Sequence, residues 1–378
     1  MRRLFSAMVL TFMACAPIHG AHAQKAHVPF YKQYNEALAA GDFAAAAEAG
    51  EQAWRAAEAD LGDHQTTAIL AYNYASLIYF NAPGKAVEPL ERVIAIVGEG
   101  STMFGAEPPE LMLSFVRTSL DSDRQLVTNL RTRLATAEST NPETTLLSAR
   151  GWFVVGSKEL SRRRFRNAVD ALSNALRHFE SFRTFAPMEI ATTLIARGVS
   201  YVAGQNRTND DIVNANYDFN NAIALFPPQT SIETFDPLLA TAVAWDAVAR
   251  IAADSDNSEG LTPGSNFERK APELKGDELI KWAGERPPAG SCELDWKPRK
   301  RVSFPTADAV RGSIGGVFLG YHIEGTKVVG ARVLAEVPER SRFGERALSA
   351  VSTWELKTPL VNKACGRNLM VTYHFILN

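Results

Sequence analysis

The spacing of apolar residues changes about two thirds of the way along the chain. Up to about residue 253, apolar residues recur at helical spacing, whereas three later segments alternate with the period of two that is typical of β-strands. These segments are Gly315–Glu324, Lys327–Val337 and Asn368–Leu377. The pattern therefore predicts a helical body followed by a small α+β module.

The segment between the second and third alternating runs has a helical apolar stripe. Phe343, Ala347, Ala350, Val351 and Trp354 recur at i, i+4, i+7, i+8 and i+11. Such a stripe is one face of an amphipathic helix. Because leaving two large aromatic side chains in water would be costly, we expect this helix to cover one face of the sheet. The predicted order of the module is strand, strand, helix, strand.

The helical body, residues 24–253, resembles a degenerate tetratricopeptide array, in which helix pairs repeat with short breaks. Spacing between equivalent breaks is nearer forty residues than thirty-four, and residues 100–140 fit no repeat well. The residues that carry the resemblance are Leu38, Gly41–Phe43 and Ala46; Leu70–Tyr79, Gly84–Ala86 and Leu90; Arg164–Arg166 and Ala168; and Gly198, Tyr201, Ala222 and Pro227.

Stacked helix pairs of this kind form a solenoid, because one pair cannot bury its own apolar face. The concave surface of a solenoid can bind an extended peptide. Asn73 and Arg197, on inner-type helices, are therefore predicted groove contacts. The alternative for Asn73 is an ordinary solvated helix residue.

The first 23 residues have the features of a secretory signal peptide. Arg2 and Arg3 precede a short apolar run, and the small-residue end Ala21–Ala23 follows it. We therefore predict export to the periplasm. Two alternatives stay open, namely an uncleaved membrane anchor and lipidation at Cys15.

Two cysteines follow that segment, Cys292 and Cys365. An even number of cysteines in an exported protein predicts a disulfide. The bond would tie the segment that enters the last domain to the loop before the last strand. A reactive thiol pair is the alternative, but the two residues lack C-x-x-C spacing.

Composition and charge separate the module from the body. Residues 254–290 are polar and rich in Pro and Gly, which indicates a linker before a module at 291–378. From Cys292 onward, 13 Lys and Arg face 8 Asp and Glu, whereas residues 24–291 hold 25 against 34. A basic module could contact anionic lipid, peptidoglycan or an acidic partner. The chain has no nucleic-acid recognition motif, so we expect no nucleic-acid partner.

Residues 298–378 resemble the C-terminal domain of the TonB family. The resemblance depends on an ordered set of short motifs rather than on any one of them. The matching residues are Phe304-Pro305, Ala307, Gly316-Val317, Gly325, Val328-Val329, Ala331, the helical stripe that ends in Trp354, Pro359 and Tyr373–Phe375.

The resemblance implies that a short peptide, such as a segment of an outer-membrane receptor, is added as a strand beside the last strand of the sheet. The residues to examine on that strand are Leu369, Val371, Tyr373 and Phe375. Unlike the family pattern, this chain has no long Pro-rich spacer, and Glu355 and Leu356 follow Trp354. We therefore expect a periplasmic adaptor protein. The alternative is an energy transducer held by an uncleaved inner-membrane anchor.

The sequence contains no pattern typical of a catalytic centre. None of His27, His64, His178, His322 and His374 has zinc-ligand spacing. His322 and His374 lie on predicted strands. The two interpretations are a pair that shares a metal or responds to pH, and two solvated histidines on the face of the sheet. We expect no catalytic residue, metal or cofactor.

Overall fold

The computed structural model describes residues 25–105, 107–140, 145–204, 208–257, 292, 294–299, 302, 315–339 and 341–375. The predicted signal peptide, nearly all of the predicted linker and the Phe304-Pro305 pair lie outside these residues. The described residues form twelve α-helices and one three-stranded antiparallel sheet, which confirms a helical body followed by an α+β segment. The chain divides into two compact units, Met1–Arg117 and Thr118–Asn378.

Five helices begin in the first unit. They are α1 (His27–Ala40), α2 (Phe43–Leu61), α3 (Gln65–Ile78), α4 (Pro83–Val97) and α5 (Pro109–Leu120). Gly41 ends α1 in the left-handed region at φ 74°, where glycine has no steric penalty. The side chain of Asp42 then caps α2 by accepting a hydrogen bond from the Ala45 amide. A Gly-Asp pair thus reverses the chain between two antiparallel helices.

Helices of the first unit contact both consecutive and alternate neighbours. α1 packs on α2, α2 on α3 and α3 on α4. Leu77 of α3 also packs against a cluster formed by Tyr34 of α1 and by Ala46 and Ala49 of α2. On the other side of α3, Tyr79 lies edge-on to Phe115 of α5, with ring centroids 5.4 Å apart. This is the contact pattern that stacked helix pairs produce.

The second unit contains six further helices, α6 (Arg124–Thr140), α7 (Leu146–Ser161), α8 (Phe165–Phe179), α9 (Pro187–Ala203), α10 (Asn209–Ala224) and α11 (Pro237–Asn257). Each packs on the next, and α9 also contacts α7 and α11. The last helix continues four residues beyond the predicted end of the helical body at residue 253.

The sheet consists of β1 (Gly315–Glu324), β2 (Lys327–Val337) and β3 (Leu369–Phe375), with α12 (Phe343–Val351) between β2 and β3 in the chain. The strands lie in the order β2-β1-β3, and both pairs are antiparallel. The predicted order of strand, strand, helix, strand is confirmed. The last strand begins one residue later than predicted.

One face of the sheet is covered by α12, as the apolar stripe predicts. Phe343 is fully buried against the side chains of β1, including Val317 and Leu319. The helix itself ends at Val351, but Trp354 belongs to the same core and is only 5% exposed.

The other face of the sheet is covered by α11 and the loop before it, which the sequence did not predict. Added Cβ atoms at Gly316 and Gly320 would lie 2.6 Å from the Ala244 carbonyl oxygen and 2.9 Å from Ile232 Cβ. Between these glycines, Phe318 packs edge-on against Phe235 at 5.4 Å. The sheet therefore lies between two helices, and it forms one compact unit with α6–α11. The sheet and these helices all belong to the unit Thr118–Asn378.

Candidate functional site

The outer edge of β3 is the candidate site. β3 pairs with β1 in a continuous register from Gly315 opposite Phe375 to Tyr321 opposite Leu369. Within the described part of the chain, no strand pairs with the other side of β3. An edge strand presents a row of backbone N–H and C=O groups that can pair with another chain.

The opposite edge of the sheet, along β2, is less regular. The pairing of β1 with β2 shifts register between Phe318 and Leu319 and again between Gly320 and His322. The start of β2 is also covered, because the Leu356 amide donates to the Thr326 carbonyl at 2.8 Å. Of the two edges, β3 is the better template for an added strand.

The four predicted residues of β3 share one face of the sheet. Leu369, Val371 and Tyr373 are half-buried against the α12 core, whereas Phe375 is 4% exposed and stacks on Phe343 with ring centroids 4.4 Å apart. The structure thus brings together all four, and three of them remain partly accessible at the edge. Thr372 and His374 alternate with them and are exposed.

An aromatic cluster lies beside this edge. The ring of Trp354 lies 5.3 Å from Trp296, 5.9 Å from Tyr321 and 6.1 Å from Tyr373. The Arg299 guanidinium covers the Trp354 ring at 4.8 Å. Burial raises the pKa of Tyr321 to about 12, and burial also raises the pKa of Tyr373, so both hydroxyl groups are protonated at neutral pH.

Sequence reasoning missed Trp296 and Arg299 as neighbours of the edge. Their segment joins the module through backbone bonds, because the Lys297 amide donates to the Glu355 carbonyl at 2.9 Å. The available signal was a tryptophan four residues after Cys292. Cys292 and Cys365 form the disulfide that the sequence predicts.

A hydrogen-bond network fixes the start of β3. The Asn368 amide donates to His322 Nδ1 at 3.1 Å, so the proton of a neutral His322 resides on Nε2, which lies 3.1 Å from Glu233 Oε1. The Ile232 amide donates to Asn368 Oδ1 at 3.4 Å. Hydrogen bonds from His322 and Ser231 lower the pKa of Glu233 to about 2. The loop before α11 therefore holds the first residues of the edge strand.

This network also separates the two strand histidines. His374 pairs with Gly316 across β1 and β3, whereas His322 lies six positions farther along β1. The interpretation of the two as a shared pair is therefore wrong. No group of metal-ligating side chains that could hold an ion occurs in the residues that the structure describes.

The two predicted groove contacts belong to different units. In the second unit, Arg197 forms a bidentate ion pair with the buried Asp218, at 2.8 Å and 2.6 Å, and donates to Ser173 Oγ at 3.1 Å. Its guanidinium thus has partners inside the helical body. Asn73 is half-buried on α3 in the first unit. A role in peptide binding stays a prediction for both residues.

One polar cluster of the helical body was not predicted. Glu138 of α6 accepts hydrogen bonds from the Trp152 indole, from His178 Nε2 at 2.7 Å and from Arg177 at 3.0 Å. Burial alone would raise the pKa of Glu138, but these bonds hold it below its usual value. The carboxylate thus joins α6, α7 and α8.

No protein-family model matches this chain, and no curated protein matches it. No helix in the described ranges is long and apolar enough to cross a membrane.

Proposed function

We propose that this protein is a non-catalytic periplasmic adaptor, in which a TonB-like module binds an extended peptide along β3 and a tetratricopeptide-like body binds a protein partner. The observation that carries the proposal is the continuous register of β3 with β1, together with an outer side of β3 to which no described strand is paired. Binding by strand addition needs an edge of this kind.

A guest strand would obtain affinity from the main chain and selectivity from alternate side chains. Directly opposite residues of paired strands lie about 4.5–5.5 Å apart at Cβ. Guest side chains on the α12 side would therefore meet Val371 and Tyr373, and those on the α11 side would meet Thr372 and His374. This gives one apolar and one polar row of contacts.

The edge strand is held in place before a guest arrives. His322 and Ile232 bind Asn368 at the start of β3, and Phe375 is stacked on Phe343 near its end. A fixed edge needs no ordering when the guest binds, so less of the binding free energy is lost.

The periplasmic location is supported by the cysteine pair, because disulfides persist in oxidising compartments. Sequencing of the mature N-terminus tests this part of the proposal. A start at Gln24 supports a released adaptor. Intact Met1 in the membrane fraction would instead favour the alternative, an energy transducer retained by its anchor.

The strand-addition proposal is tested with linear peptides selected from a random display library on the full chain. Amide exchange of β3 is then followed with and without a selected peptide. Adjacent residues of a strand direct their N–H groups to opposite sides, so alternate amides of β3 exchange fast in the free protein. Strand addition predicts that these fast amides become protected when the peptide binds.

A pair of proline variants supplies the control. Val371 and Thr372 are adjacent, so one of their amides is directed at β1 and the other is directed outward. Val371→Pro and Thr372→Pro each remove one of these amides, and an edge strand tolerates the loss of the outward one. Exchange in the free protein identifies which is which. The outward variant should keep the fold and lose peptide binding. Peptides that protect no β3 amide, or that bind the folded outward variant unchanged, would exclude the proposal.

A further inference from the structure

One face of α3 takes no part in the helical core. Five residues of this face recur at i, i+4, i+7, i+8 and i+11, and we call them the α3 outer stripe. They are Gln65, Ile69, Tyr72, Asn73 and Ser76. The core of the first unit is built instead from the other side of the helix, including Ala68, Leu70 and Tyr74.

A turn from the same unit lies on this stripe. We call Ser101–Gly105 the Phe104 turn; it contains a 3-10 helix at Thr102–Phe104. The ring of Phe104 stacks on Tyr72 with centroids 4.2 Å apart and an interplanar angle of 24°. Gln65 Nε2 lies 3.7 Å from Met103 Sδ. The Tyr72 hydroxyl donates to the Glu107 carbonyl at 2.7 Å.

The Phe104 turn is a short segment with few buried residues. Thr102, Met103 and Gly105 are exposed, and Phe104 is half-buried. Met103 at the centre of the turn is 39% exposed. Segments with few buried contacts open at low free-energy cost. The turn can therefore leave α3 without unfolding the helix pairs.

The contacts of the turn, and of Glu107 two residues after it, are those that a bound peptide would make. An aromatic ring stacks on Tyr72, and a main-chain carbonyl accepts from its hydroxyl. Burial raises the pKa of Tyr72, so this hydroxyl is a donor at neutral pH. Beside the turn, the stripe continues with Ile69, which is 37% exposed, and half-buried Asn73.

We propose that the Phe104 turn is an internal occupant of a peptide groove on α3, and that the protein partner of the helical body displaces it with an extended segment that carries an aromatic side chain. This inference rests on the proposed docking role of that body. The guest ring replaces Phe104 on Tyr72, and a guest carbonyl replaces that of Glu107. Asn73 provides an amide for a further main-chain bond.

The test uses the full chain with Phe104→Ser, which removes the competing ring. Short linear peptides are selected on this variant from a random display library. We expect enrichment of Phe, Tyr or Trp, and an affinity about tenfold or more higher for Phe104→Ser than for the wild type, because a tethered competitor acts at high effective concentration. Phe43→Ser, which removes an exposed phenylalanine on α2, is the matched control and should bind like the wild type.

Two variants made on the Phe104→Ser background locate the groove. Tyr72→Phe removes only the hydroxyl and should weaken the selected peptides about two- to tenfold, as expected for one hydrogen bond. Tyr72→Leu keeps the bulk of the side chain but removes the aromatic ring, and it should abolish the aromatic preference. Amide exchange of α3 verifies that both variants are folded.

The inference would be overturned by selected peptides that bind Phe104→Ser and the wild type equally, or whose aromatic preference is unchanged by Tyr72→Leu. Failure to select any peptide on Phe104→Ser would overturn it too. The outward proline variant of β3 distinguishes peptide binding at α3 from the strand addition proposed for β3. It should leave peptides selected for the α3 groove unaffected, and loss of α3 binding does not alter the exchange test on β3.

Discussion

The two faces of the sheet are covered in different ways. On the α12 face, large side chains such as Phe343 and Trp354 fill the space between helix and sheet. On the α11 face, Gly316 and Gly320 let the neighbouring backbone and side chains approach directly. The first face is filled by large side chains, whereas close packing on the second also depends on two positions that have no side chain, and glycines leave no hydrophobic pattern in the sequence.

The packing of both faces also determines where a guest strand could pair with the sheet. Helices pack on both faces of the sheet, so a guest strand would pair at an edge, and among the described strands β3 offers the more regular one.

The largest effect is expected on the α12 face. Phe343→Ala removes a fully buried ring that stacks on Phe375, and we expect a loss of about 3–5 kcal/mol in the free energy of unfolding of the sheet. Urea titration read by amide exchange of β1 and β3 measures it. The milder Phe343→Leu should lose about 1.5 kcal/mol or less. A loss below about 1 kcal/mol for the alanine variant would mean that α12 does not hold the sheet.

The next effect concerns the disulfide, which holds the Trp296 segment near the α12 core. The double variant Cys292→Ser, Cys365→Ser should lower the free energy of unfolding by about 2–4 kcal/mol, because the bond closes a long loop in the unfolded chain. Exchange should rise first in peptides that contain Trp296. An equal rise of exchange in peptides with and without Trp296 would contradict this role of the bond.

The α11 face is tested by adding volume. Gly316→Ala places a methyl group 2.6 Å from the Ala244 carbonyl oxygen, so the backbone must shift, at a cost of about 1–3 kcal/mol in sheet stability. Gly84→Ala on α4 is the matched control, since nothing lies within 4 Å of the added atom. If both variants have the same stability as the wild type, α11 does not pack closely on β1.

The smallest effect is expected at Glu233, which anchors the start of β3. The pKa of this carboxylate falls from 4.5 to about 2 on folding, so its stabilisation is present above pH 4.5 and disappears as the pH falls through about 2. Because the Glu233 side chain is 48% exposed, Glu233→Gln should cost only about 0.5 kcal/mol at pH 7 and almost nothing near pH 2. Parallel unfolding curves of both proteins across this pH range measure it. An equal loss of stability at pH 7 and near pH 2 would indicate that Glu233 has a role unrelated to its charge.

The sequence predicted the elements that depend on local periodicity. β1 and β2 have the predicted bounds, and the stripe from Phe343 to Trp354 is buried as predicted, although the helix ends at Val351. The stripe continues past the end of the helix because the following turn keeps Trp354 over Tyr321.

What the sequence did not predict depends on contacts between distant segments. Gly316 and Gly320 carry no side-chain signal, and their partners on α11 and its loop precede them by about seventy residues or more. Similarly, Trp296 bridges Leu356 sixty residues later, so no local pattern indicates that it joins the aromatic cluster. The four β3 residues were predictable because alternation assigns them to one face.

The register of β3 with β1 has a mechanical consequence. A pull on a guest along the strand axis would load the β1–β3 hydrogen bonds in shear, so that they resist together instead of parting one by one. β1 lies at the centre of the sheet and touches the backbone of α11 at Gly316, so the load would pass into the helices. Under the proposed strand addition, this register would resist tension on a tethered guest.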